Sequence, residues 1–312
     1  MKIFFAYDGF PVAREKIRAQ LPEPNFAISV VDPERSILEQ VGDVDVIIPG
    51  MASITAEVMD AAPRLKLIVQ FGVGLEGVDM EAARRRGIYV SNTPGVNAAA
   101  VAEHALFLML ALARRLPVAQ GALGEGQIGF PVGRELSGKT VGIIGFGNSG
   151  RELARMARGL GMRVLAIRRT PGEDDRALVD FIGTRADLDK VLAESDFVSL
   201  HAPLTPETEG LIDAAALARM KPSAFLVNVA RGGLVVREDL LAALRTGVIA
   251  GAGLDVFWTE PPDPNDKLFT LENVVVTPHI AGVTEEAYGR AARQVAAHIR
   301  NLVREGKPEF YY

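Results

Sequence analysis

The sequence predicts an α/β fold made of two doubly wound parallel sheets, and three observations support this prediction. Short apolar runs alternate with helical stretches along the first part of the chain, a rhythm typical of parallel strands with helices on both faces. The rhythm restarts near Lys139 with a second series of strands and helices. The length of 312 residues, with 48% hydrophobic and 23% charged residues, fits two globular domains of roughly 100–200 residues each.

The first series contains five apolar runs of strand length, at residues 3–6, 26–31, 44–48, 65–69 and 88–90. Helical patterns separate these runs at residues 11–20, 34–41, 55–61 and 79–86. Because a helix of this kind carries the chain back to the start of the next strand, neighbouring strands are expected to run in the same direction.

The second series opens with a predicted helix at residues 96–116. It is apolar on nearly every face, so we expect it to be buried inside a domain or at a subunit contact. A glycine-rich loop follows at residues 121–133. The later strands are predicted at residues 141–144, 163–167, 197–200, 224–229, 249–254 and 274–276. The later helices are predicted at residues 148–160, 185–193, 237–246 and 285–304, the last of them amphipathic.

The composition excludes several classes of protein. Lys and Arg total 34 against 39 Asp and Glu, which gives a formal net charge of -5 and argues against nucleic-acid binding as the main task. The absence of cysteine excludes disulfides, thiolate metal sites and cysteine nucleophiles. The first ten residues resemble a strand and not an export signal, and the most apolar run, residues 105–113, is short of the roughly 20 residues that a bilayer requires. We expect a cytoplasmic protein that binds no metal, nucleic acid or membrane.

The strongest motif is a glycine pattern between a predicted strand and a predicted helix. It consists of Gly145, Phe146, Gly147, Asn148, Ser149 and Gly150. In such a pattern the first glycine permits a tight turn, the second lets the backbone approach a pyrophosphate, and the third lets the helix pack closely on the strand. The helix N-terminus then offers free N–H groups to phosphates. The motif therefore predicts a dinucleotide-binding site.

The next predicted strand ends in residues that bear on the choice of dinucleotide. An NAD site usually carries Asp or Glu here, which accepts a hydrogen bond from the ribose 2′-hydroxyl. This chain has Arg168, Arg169 and Thr170 instead. Guanidinium and hydroxyl groups donate hydrogen bonds and suit a 2′-phosphate. We expect NADP(H) to be favoured and NAD(H) to be possible, the alternative being a solvated arginine pair without preference.

Three further polar residues follow late strands. Arg231 comes after the strand at 224–229, Glu260 lies in the loop after the strand at 249–254, and His279 follows the strand at 274–276. Open parallel sheets bind ligands outside the carboxyl ends of their strands. We therefore expect these residues at the same sheet edge as the glycine motif.

In this order and spacing, the motifs resemble those of the D-isomer-specific 2-hydroxyacid dehydrogenases. The resemblance covers essentially the whole chain, and its segments lie at residues 71–79, 92–104, 145–150, 201–208, 228–232, 253–256, 260–262 and 278–282. It implies a Rossmann dinucleotide-binding domain, residues 96–284, inserted in a flavodoxin-like substrate domain of residues 1–95 plus 285–312. It also implies hinge closure between the domains and a homodimer contact through the helix at 96–116.

The family's catalytic trio matches Arg231, Glu260 and His279. Arg231 would hold the substrate's carboxylate and polarise its keto oxygen. His279 would protonate that oxygen as hydride arrives from the nicotinamide, and Glu260 would orient the imidazole and favour its protonated form. The backbone N–H groups around Val73 and Gly74 resemble the family's second contact to the carboxylate.

The resemblance also implies further cofactor contacts. Asp255 matches a residue near the nicotinamide carboxamide. The other matches lie beside the riboses, the phosphates or the nicotinamide: His201, Pro203, Thr208, Ala230 and Gly282. Of the two remaining histidines, His104 is expected to be a packed, hydrogen-bonded residue of a buried helix, and His298, on the last helix, a surface or packing residue.

The activity implied by the resemblance is reduction of a small 2-keto acid, of the glyoxylate or hydroxypyruvate type, to the D-2-hydroxy acid. A 3-phosphoglycerate dehydrogenase is an alternative, although that enzyme usually carries an acidic ribose residue. A dinucleotide-sensing scaffold, like some transcriptional co-repressors of this fold, is another. Formate dehydrogenases carry Gln where this chain has Glu260, which argues against that activity. A bulkier aliphatic or aromatic 2-keto acid also remains open.

Overall fold

The structure, a computed structural model, describes residues 1–22 and 24–312. The chain divides into two compact units: unit 1 comprises Met1–Asn97 and Val283–Tyr312, and unit 2 comprises Ala98–Gly282. The sequence places the two boundaries at 95/96 and 284/285. The assignment of unit 1 to substrate binding and of unit 2 to dinucleotide binding stays a prediction.

The described residues form twelve short β-strands and eleven α-helices. The strands are β1 Lys2–Phe5, β2 Ala27–Val30, β3 Val46–Ile48, β4 Leu67–Val69, β5 Tyr89–Ser91, β6 Thr140–Ile144, β7 Arg163–Ile167, β8 Phe181–Gly183, β9 Phe197–Leu200, β10 Phe225–Asn228, β11 Gly251–Leu254 and β12 Val274–Val276. The helices are α1 Pro11–Gln20, α2 Ala56–Asp60, α3 Met80–Arg85, α4 Ala98–Ala113, α5 Leu116–Gly124, α6 Asn148–Gly159, α7 Glu173–Arg176, α8 Leu188–Glu194, α9 Ala214–Arg219, α10 Arg237–Thr246 and α11 Glu285–Glu305.

The sheet of unit 1 has the strand order β2-β1-β3-β4-β5, with every pair parallel. Its winding reverses between β1 and β3, as in flavodoxin-like folds. Apolar side chains cover both faces, with Phe4 and Ile47 in one core cluster and Ile3 and Val46 in the other. The second cluster includes Val295 of α11, so the end of the chain completes the core of unit 1.

The sheet of unit 2 has the order β12-β11-β10-β9-β6-β7-β8, again with every pair parallel. Its winding reverses between β6 and β9, the order typical of dinucleotide-binding domains. Leu108 of α4 and Leu153 of α6 lie in the core of one face, and Val191 of α8 and Leu240 of α10 in the core of the other. The predicted α/β fold with two doubly wound parallel sheets is confirmed.

The helix predicted at residues 34–41 is wrong, because only a turn of 3₁₀-helix forms, at Ile37–Glu39. The side chain of Gln40 explains the difference. Its Nε2 donates to the carbonyl oxygens of Arg35 and Ser36, at 3.2 Å each. These bonds occupy carbonyls that an α-helix would need, so the side chain competes with helix formation.

The helix predicted at residues 96–116 forms as α4, at Ala98–Ala113, and it ends before Leu116, where the separate helix α5 begins. The two helices part at Arg115, which has a left-handed φ of 52°. Pro117 lies in the first turn of α5, where its missing N–H is harmless, whereas in a continuous helix its ring would clash with the carbonyl four residues earlier. Since α5 extends to Gly124, it also includes the start of the loop predicted at 121–133.

Within residues 1–22 and 24–312, no helix is long and apolar enough to cross a membrane by itself. Taken together, α4 and α5 reach the required length and apolar character, but they are bent by 54° at their junction. The apolar character of α4 serves the core of unit 2, where Ala105, Leu108 and Met109 are fully buried.

Three short elements of unit 2 were not expected from the sequence: β8, α7 and α9, of three, four and six residues. Such lengths are too short to show a period of 3.6 or 2 residues. The helix predicted at 185–193 divides into a 3₁₀ turn at Arg185–Asp187 followed by α8.

A pair of glycine substitutions tests the packing within each unit. A Cβ at Gly142 in β6 would lie 2.7 Å from Val191 Cγ1 and closer still to Ser195 Oγ. We predict that Gly142→Ala lowers the free energy of unfolding by about 1–3 kcal/mol through overpacking. In α11, a Cβ at Gly289 would meet only Arg293 Nη1, at 3.7 Å. Gly289→Ala is therefore expected to raise the stability by about 0.5–1 kcal/mol. Urea unfolding followed by circular dichroism measures both changes, and shifts of the same sign would contradict this description of the packing.

Candidate active site

The predicted site residues of unit 2 lie along one edge of its sheet. The last residues of six strands are aligned by the parallel register: Ile144 pairs with Leu200 and Ile167, Leu200 with Asn228, Asn228 with Leu254, and Leu254 with Val276. One to three residues beyond these ends come Gly145, Arg168, His201, Arg231, Asp255 and His279. The shared edge predicted from the sequence is therefore present.

The glycine motif forms a tight turn from β6 into α6. Gly145 has a φ of 99°, and a Cβ on it would overlap the backbone of His201 and Ala202. A Cβ at Gly150 would lie 2.5 Å from the carbonyl oxygen of Gly145. Gly147 has open space on its Cβ side and precedes α6 without a side-chain cap. The N–H groups of the first turn of α6 are thus placed to bind phosphate.

The residues between these glycines connect the turn to its surroundings. Phe146 is buried in the core, while Asn148 and Ser149 begin α6. Ser149 Oγ lies 3.0 Å from Nδ1 of His201, and Ser199 Oγ lies 2.9 Å from Nε2 of the same ring. Burial lowers the pKa of His201 to about 4, so the ring is neutral at pH 7. A neutral imidazole has one donor and one acceptor nitrogen, which matches its two hydroxyl partners.

Arg168 is held by a buried carboxylate that no motif in the sequence indicates. Its Nη1 lies 2.7 and 3.0 Å from the two carboxylate oxygens of Asp175, and Nε of Arg151 donates to the same carboxylate at 2.8 Å. Burial raises the pKa of Asp175, but the N–H of Gly172 and the two arginines lower the pKa by more than burial raises it, so the net shift is downward. Asp175 is therefore ionised, and it fixes the direction of Arg168.

The remaining residues predicted near the ribose lie on the surface or in a closed loop. Arg169 and Thr170 are exposed. In the loop after β9, Thr208 Oγ1 donates to the carbonyl oxygen of Pro203 at 2.7 Å and accepts from the N–H of Thr205 at 2.8 Å. The Thr208 hydroxyl therefore sets the shape of its own loop.

A side-chain clamp shapes the turn that carries Arg231. Asn228 Nδ2 donates to the carbonyl oxygen of Arg231 at 2.8 Å, and Asn228 Oδ1 accepts from the N–H of Ala230 at 3.1 Å. The next residue, Gly232, touches the backbone of the loop that leads to Glu260, since a Cβ there would lie 2.6 Å from the nitrogen of Trp258 and closer to Phe257. Close packing at Gly232 thus brings the Arg231 turn and the Glu260 loop together.

Both carboxylate oxygens of Glu260 are hydrogen-bonded. Oε2 lies 2.6 Å from Nδ1 of His279, and Oε1 accepts from the N–H of Phe257 at 3.1 Å. Burial raises the pKa of Glu260, but the bond to His279, the bond from Phe257 and the positive charge of Arg231 together lower it below its usual value. Glu260 is thus an ionised partner for the imidazole at neutral pH, and the predicted trio is assembled in one place.

His279 combines an unusual backbone with an accessible ring. Its φ of 54° lies in the left-handed region, and its N–H donates to the carbonyl oxygen of Asp255 at 2.8 Å. The side chain is 39% exposed. Because Glu260 occupies Nδ1, Nε2 is the nitrogen that can exchange a proton with a ligand. Sparsely populated backbone conformations of this kind often occur at functional sites.

Asp255 is fully buried beneath the His279 loop. Its carboxylate accepts from Thr277 Oγ1 at 2.6 Å and from the N–H groups of Ile280 and Ala281 at 2.9 and 2.8 Å. Burial raises the pKa of this carboxyl, but the bond from His104 and these other bonds lower the pKa by more than burial raises it, so the carboxyl stays ionised. The structure therefore gives Asp255 a role in shaping the loop, beside the predicted contact to the nicotinamide.

His104 was expected to be a packed, hydrogen-bonded residue, and its Nε2 lies 2.8 Å from Thr277 Oγ1. Since that hydroxyl donates to Asp255, it accepts from the His104 ring, which extends the network into α4. No local pattern indicates this link, because the two partners are 173 residues apart. Gly282, predicted at the nicotinamide end, is the last residue of unit 2.

The predicted carboxylate contact at Val73 and Gly74 lies in unit 1, in the loop after β4. The side chain of Val73 is exposed, and its carbonyl oxygen accepts from Asn92 Nδ2 at 2.6 Å. The preceding N–H, that of Gly72, donates to Thr93 Oγ1 at 2.9 Å. The loop is therefore fixed by the residues that follow β5.

Comparisons with known proteins agree with this geometry. The family model described as D-isomer specific 2-hydroxyacid dehydrogenase, NAD binding domain, matches residues 106–281. The glyoxylate reductase of Pyrococcus furiosus is 44% identical over 296 residues, which cover 90% of this chain and 86% of that protein. The D-3-phosphoglycerate dehydrogenase of Archaeoglobus fulgidus is 42% identical over 262 residues, which cover 83% of this chain and 49% of that protein.

A solved structure extends the likeness to the whole chain. The NADPH-dependent glyoxylate/hydroxypyruvate reductase of Sinorhizobium meliloti, in complex with NADP and malonate, has a TM-score of 0.87 and 31% identity, with 100% of this chain and 96% of that chain covered. Together with the matched NAD-binding domain, these relatives show both the family and the class of reaction. The protein is a member of the D-isomer specific 2-hydroxyacid dehydrogenase family, an oxidoreductase that acts on CH–OH groups with a nicotinamide dinucleotide.

Proposed function

We propose that the protein reduces a small 2-keto acid, of the glyoxylate or hydroxypyruvate type, to the D-2-hydroxy acid, with NADPH favoured over NADH. The observation that carries this proposal is the 2.6 Å hydrogen bond between Glu260 and His279. It forms near Arg231, at the same sheet edge as the glycine motif. Reduction of a keto acid needs a cation for the carboxylate and an acid for the keto oxygen. Arg231 and His279 supply these two groups.

Each residue of the trio has a separate role in the reaction. Arg231 binds the substrate's carboxylate and polarises the keto oxygen. The dinucleotide, when bound, supplies the hydride that adds to the keto carbon. His279 donates the Nε2 proton to the keto oxygen and accepts it back in the reverse direction. Ionised Glu260 stabilises the imidazolium before the transfer and keeps the ring oriented after it.

Besides Arg231 and His279 of unit 2, we assign to substrate binding the backbone N–H groups at Val73 and Gly74 of unit 1, which contact the carboxylate. Dinucleotide binding is assigned to unit 2. The phosphates of the dinucleotide bind at the glycine motif. The predicted contacts to the rest of the cofactor are His201, Pro203, Thr208, Ala230, Asp255 and Gly282. This assignment is supported by the glycine motif, which combines tight glycine packing with a helix N-terminus that has no side-chain cap.

The preference for NADPH is argued from Arg168, Arg169 and Thr170. Asp175 engages Nη1 of Arg168 and fixes the guanidinium at the end of β7. The other two guanidinium nitrogens, Nε and Nη2, carry N–H groups that can donate hydrogen bonds to a 2′-phosphate. The Sinorhizobium meliloti relative, described as NADPH-dependent and bound to NADP, is consistent with this choice.

A D-3-phosphoglycerate dehydrogenase activity is the second candidate, because a relative with that name is 42% identical to this chain. Oxidation of a phosphorylated 2-hydroxy acid would use the same trio in the reverse direction. The arginines after β7 favour the first candidate, because NAD-linked members usually have a carboxylate at that position.

The first test is the initial rate of NAD(P)H oxidation at 340 nm with glyoxylate and with hydroxypyruvate, each with NADPH and NADH. We expect turnover with both keto acids and a higher kcat/KM with NADPH. Faster turnover of 3-phosphohydroxypyruvate than of either acid would favour the second candidate. Absence of turnover with a wide panel of keto acids, while NADPH still binds, would instead favour a dinucleotide-sensing scaffold.

Arg168→Ser tests the origin of the cofactor preference. We expect kcat/KM for NADPH to fall about tenfold, the effect of losing one charge-assisted contact, while kcat/KM for NADH changes less than about threefold. Arg163→Ser is the matched control, because Arg163 begins the same strand at the opposite edge and pairs with Glu194. Equal losses with both cofactors, or a wild-type preference for NADH, would contradict the assignment.

Glu260→Gln tests the ion pair by its pH dependence. The amide keeps an acceptor for Nδ1 but loses the negative charge that Glu260, whose pKa lies below its usual value, carries at neutral pH. The protonated ring then loses its charged partner, so the alkaline limb of kcat/KM for keto-acid reduction should move to lower pH. Glu238→Gln, which alters an exposed partner of Arg237, serves as the control. An unmoved limb would show that Glu260 does not stabilise the protonated ring.

The surface of unit 2 around α4 and α5 supports the proposed homodimer. The large apolar side chains exposed there are Phe107, Leu110, Leu123, Ile128, Phe130 and Val132, with Ile128 88% and Val132 82% exposed. Of these residues Val132 also lines, with Pro117 and Arg134 among others, a depression of about 530 Å³. Apolar side chains exposed in such number usually mark an interaction surface.

Light scattering after size exclusion tests the dimer. The wild type is expected to have twice the 33.5 kDa of one chain. Ile128→Glu combined with Val132→Glu should shift it to the monomer, because burying two carboxylates in an apolar contact is unfavourable. Val303→Glu, at a 56% exposed position of α11, should leave the mass unchanged. A monomeric wild type would overturn the proposal.

A further inference from the structure

The segment after α11 packs against β5 in unit 1. The N–H of Tyr312 donates to the carbonyl oxygen of Val90 at 3.0 Å, and Ser91 Oγ donates to the carbonyl oxygen of Phe310 at 2.6 Å. The ring of Tyr311 packs edge-on against Tyr89, with centroids 4.7 Å apart. The segment is therefore held by backbone and side-chain contacts.

From this position Tyr312 reaches the loop after β4 through one intermediate side chain. Its hydroxyl donates to Asn92 Oδ1 at 3.2 Å, and Asn92 Nδ2 donates to the carbonyl oxygen of Val73 at 2.6 Å. Asn92 is only 3% exposed. The two ends of one buried amide thus connect Tyr312 to the backbone of Val73.

A planar peptide carries this connection to Gly74. The carbonyl of Val73 and the N–H of Gly74 belong to the same trans peptide, so they point in opposite directions. When Asn92 fixes the carbonyl, it also fixes the direction of the Gly74 N–H. Thr93 holds the other end of the loop, with Oγ1 bonded to both the N–H and the carbonyl of Gly72.

His298 of α11 supports Asn92 from the backbone side. The ring is fully buried, and Nε2 lies 3.3 Å from the carbonyl oxygen of Asn92. Because a carbonyl can only accept, Nε2 carries the hydrogen. The backbone and the side chain of Asn92 are therefore held by separate groups, and Tyr312 is the one that acts on the amide oxygen.

We propose that Tyr312 is a positioning residue for the substrate: through Asn92, it orients the Gly74 N–H toward the substrate's carboxylate. The proposal rests on the carboxylate contact assigned to Val73 and Gly74 under the proposed function. It adds a residue 238 positions from Gly74, which acts on the substrate through Asn92 and the peptide between Val73 and Gly74. Its effect is on ground-state and transition-state binding alike, since the carboxylate is present in both.

Tyr312→Phe tests the proposal, because it removes the hydroxyl and keeps the ring. We expect KM for hydroxypyruvate and the inhibition constant of oxalate to rise about threefold, the size of one hydrogen bond between neutral groups. The value of kcat and the KM for NADPH should stay within about twofold, as for a loss of uniform binding. Tyr311→Phe is the matched control and should change none of these values.

A double variant tests the route through Asn92. Asn92→Ala should raise KM for hydroxypyruvate about tenfold, and adding Tyr312→Phe to it should have no further effect. Additive effects would show that Tyr312 acts by another route. An unchanged KM in Tyr312→Phe would overturn the proposal even if Asn92→Ala fails to fold.

Hydrogen exchange separates this inference from the proposed function. Amide exchange in residues 72–75 should be faster in Tyr312→Phe than in the wild type or Tyr311→Phe. If exchange is faster in Tyr312→Phe but the wild type reduces no keto acid, the link from Tyr312 to the loop is supported and the proposed function is refuted. Turnover of keto acids by the wild type, together with unchanged exchange and unchanged KM in Tyr312→Phe, would refute the inference alone.

Discussion

The candidate site in unit 2 depends on one constraint, the parallel direction of all seven strands. Each strand ends at the same edge, and each connection must return across a face of the sheet before the next strand starts. Groups far apart in sequence therefore meet at that edge without any local attraction between them. Gly145 and His279 are 134 positions apart, yet both follow strands whose ends are aligned by the same ladder of backbone bonds.

The edge is stabilised by buried carboxylates whose desolvation is offset locally. Asp255 and Asp175 are both fully buried, and both have pKa values below the usual range despite that burial. Asp255 is satisfied mainly by a hydroxyl and backbone N–H groups, whereas Asp175 is satisfied by two arginines and one backbone N–H. The first arrangement fixes a loop, and the second fixes the direction of a cation. Removing the partners of either carboxylate would leave a buried charge, which is strongly unfavourable.

Much of the fold and of the trio could be predicted because the signals are local or topological. Strands of buried parallel sheets are continuous apolar runs, and the position of Arg231 just after such a run is enough to place it at the binding edge. The failures have equally physical causes. Nothing in the run from Glu173 to Asp175 indicates which acid turns inward, and the polar side chain of Gln40 competes with a helix that its neighbours favour. The bond between Tyr312 and Asn92 spans 220 positions and leaves no local pattern.

The left-handed backbone at His279 has a consequence for how mutational data on this residue should be interpreted. A left-handed φ costs most residues roughly 1 kcal/mol, whereas Asn adopts it more readily. Replacement by a β-branched residue would therefore disturb the loop as well as remove the imidazole. His279→Asn removes the proton donor while preserving the preferred backbone, and is the substitution in which a loss of rate can be attributed to chemistry.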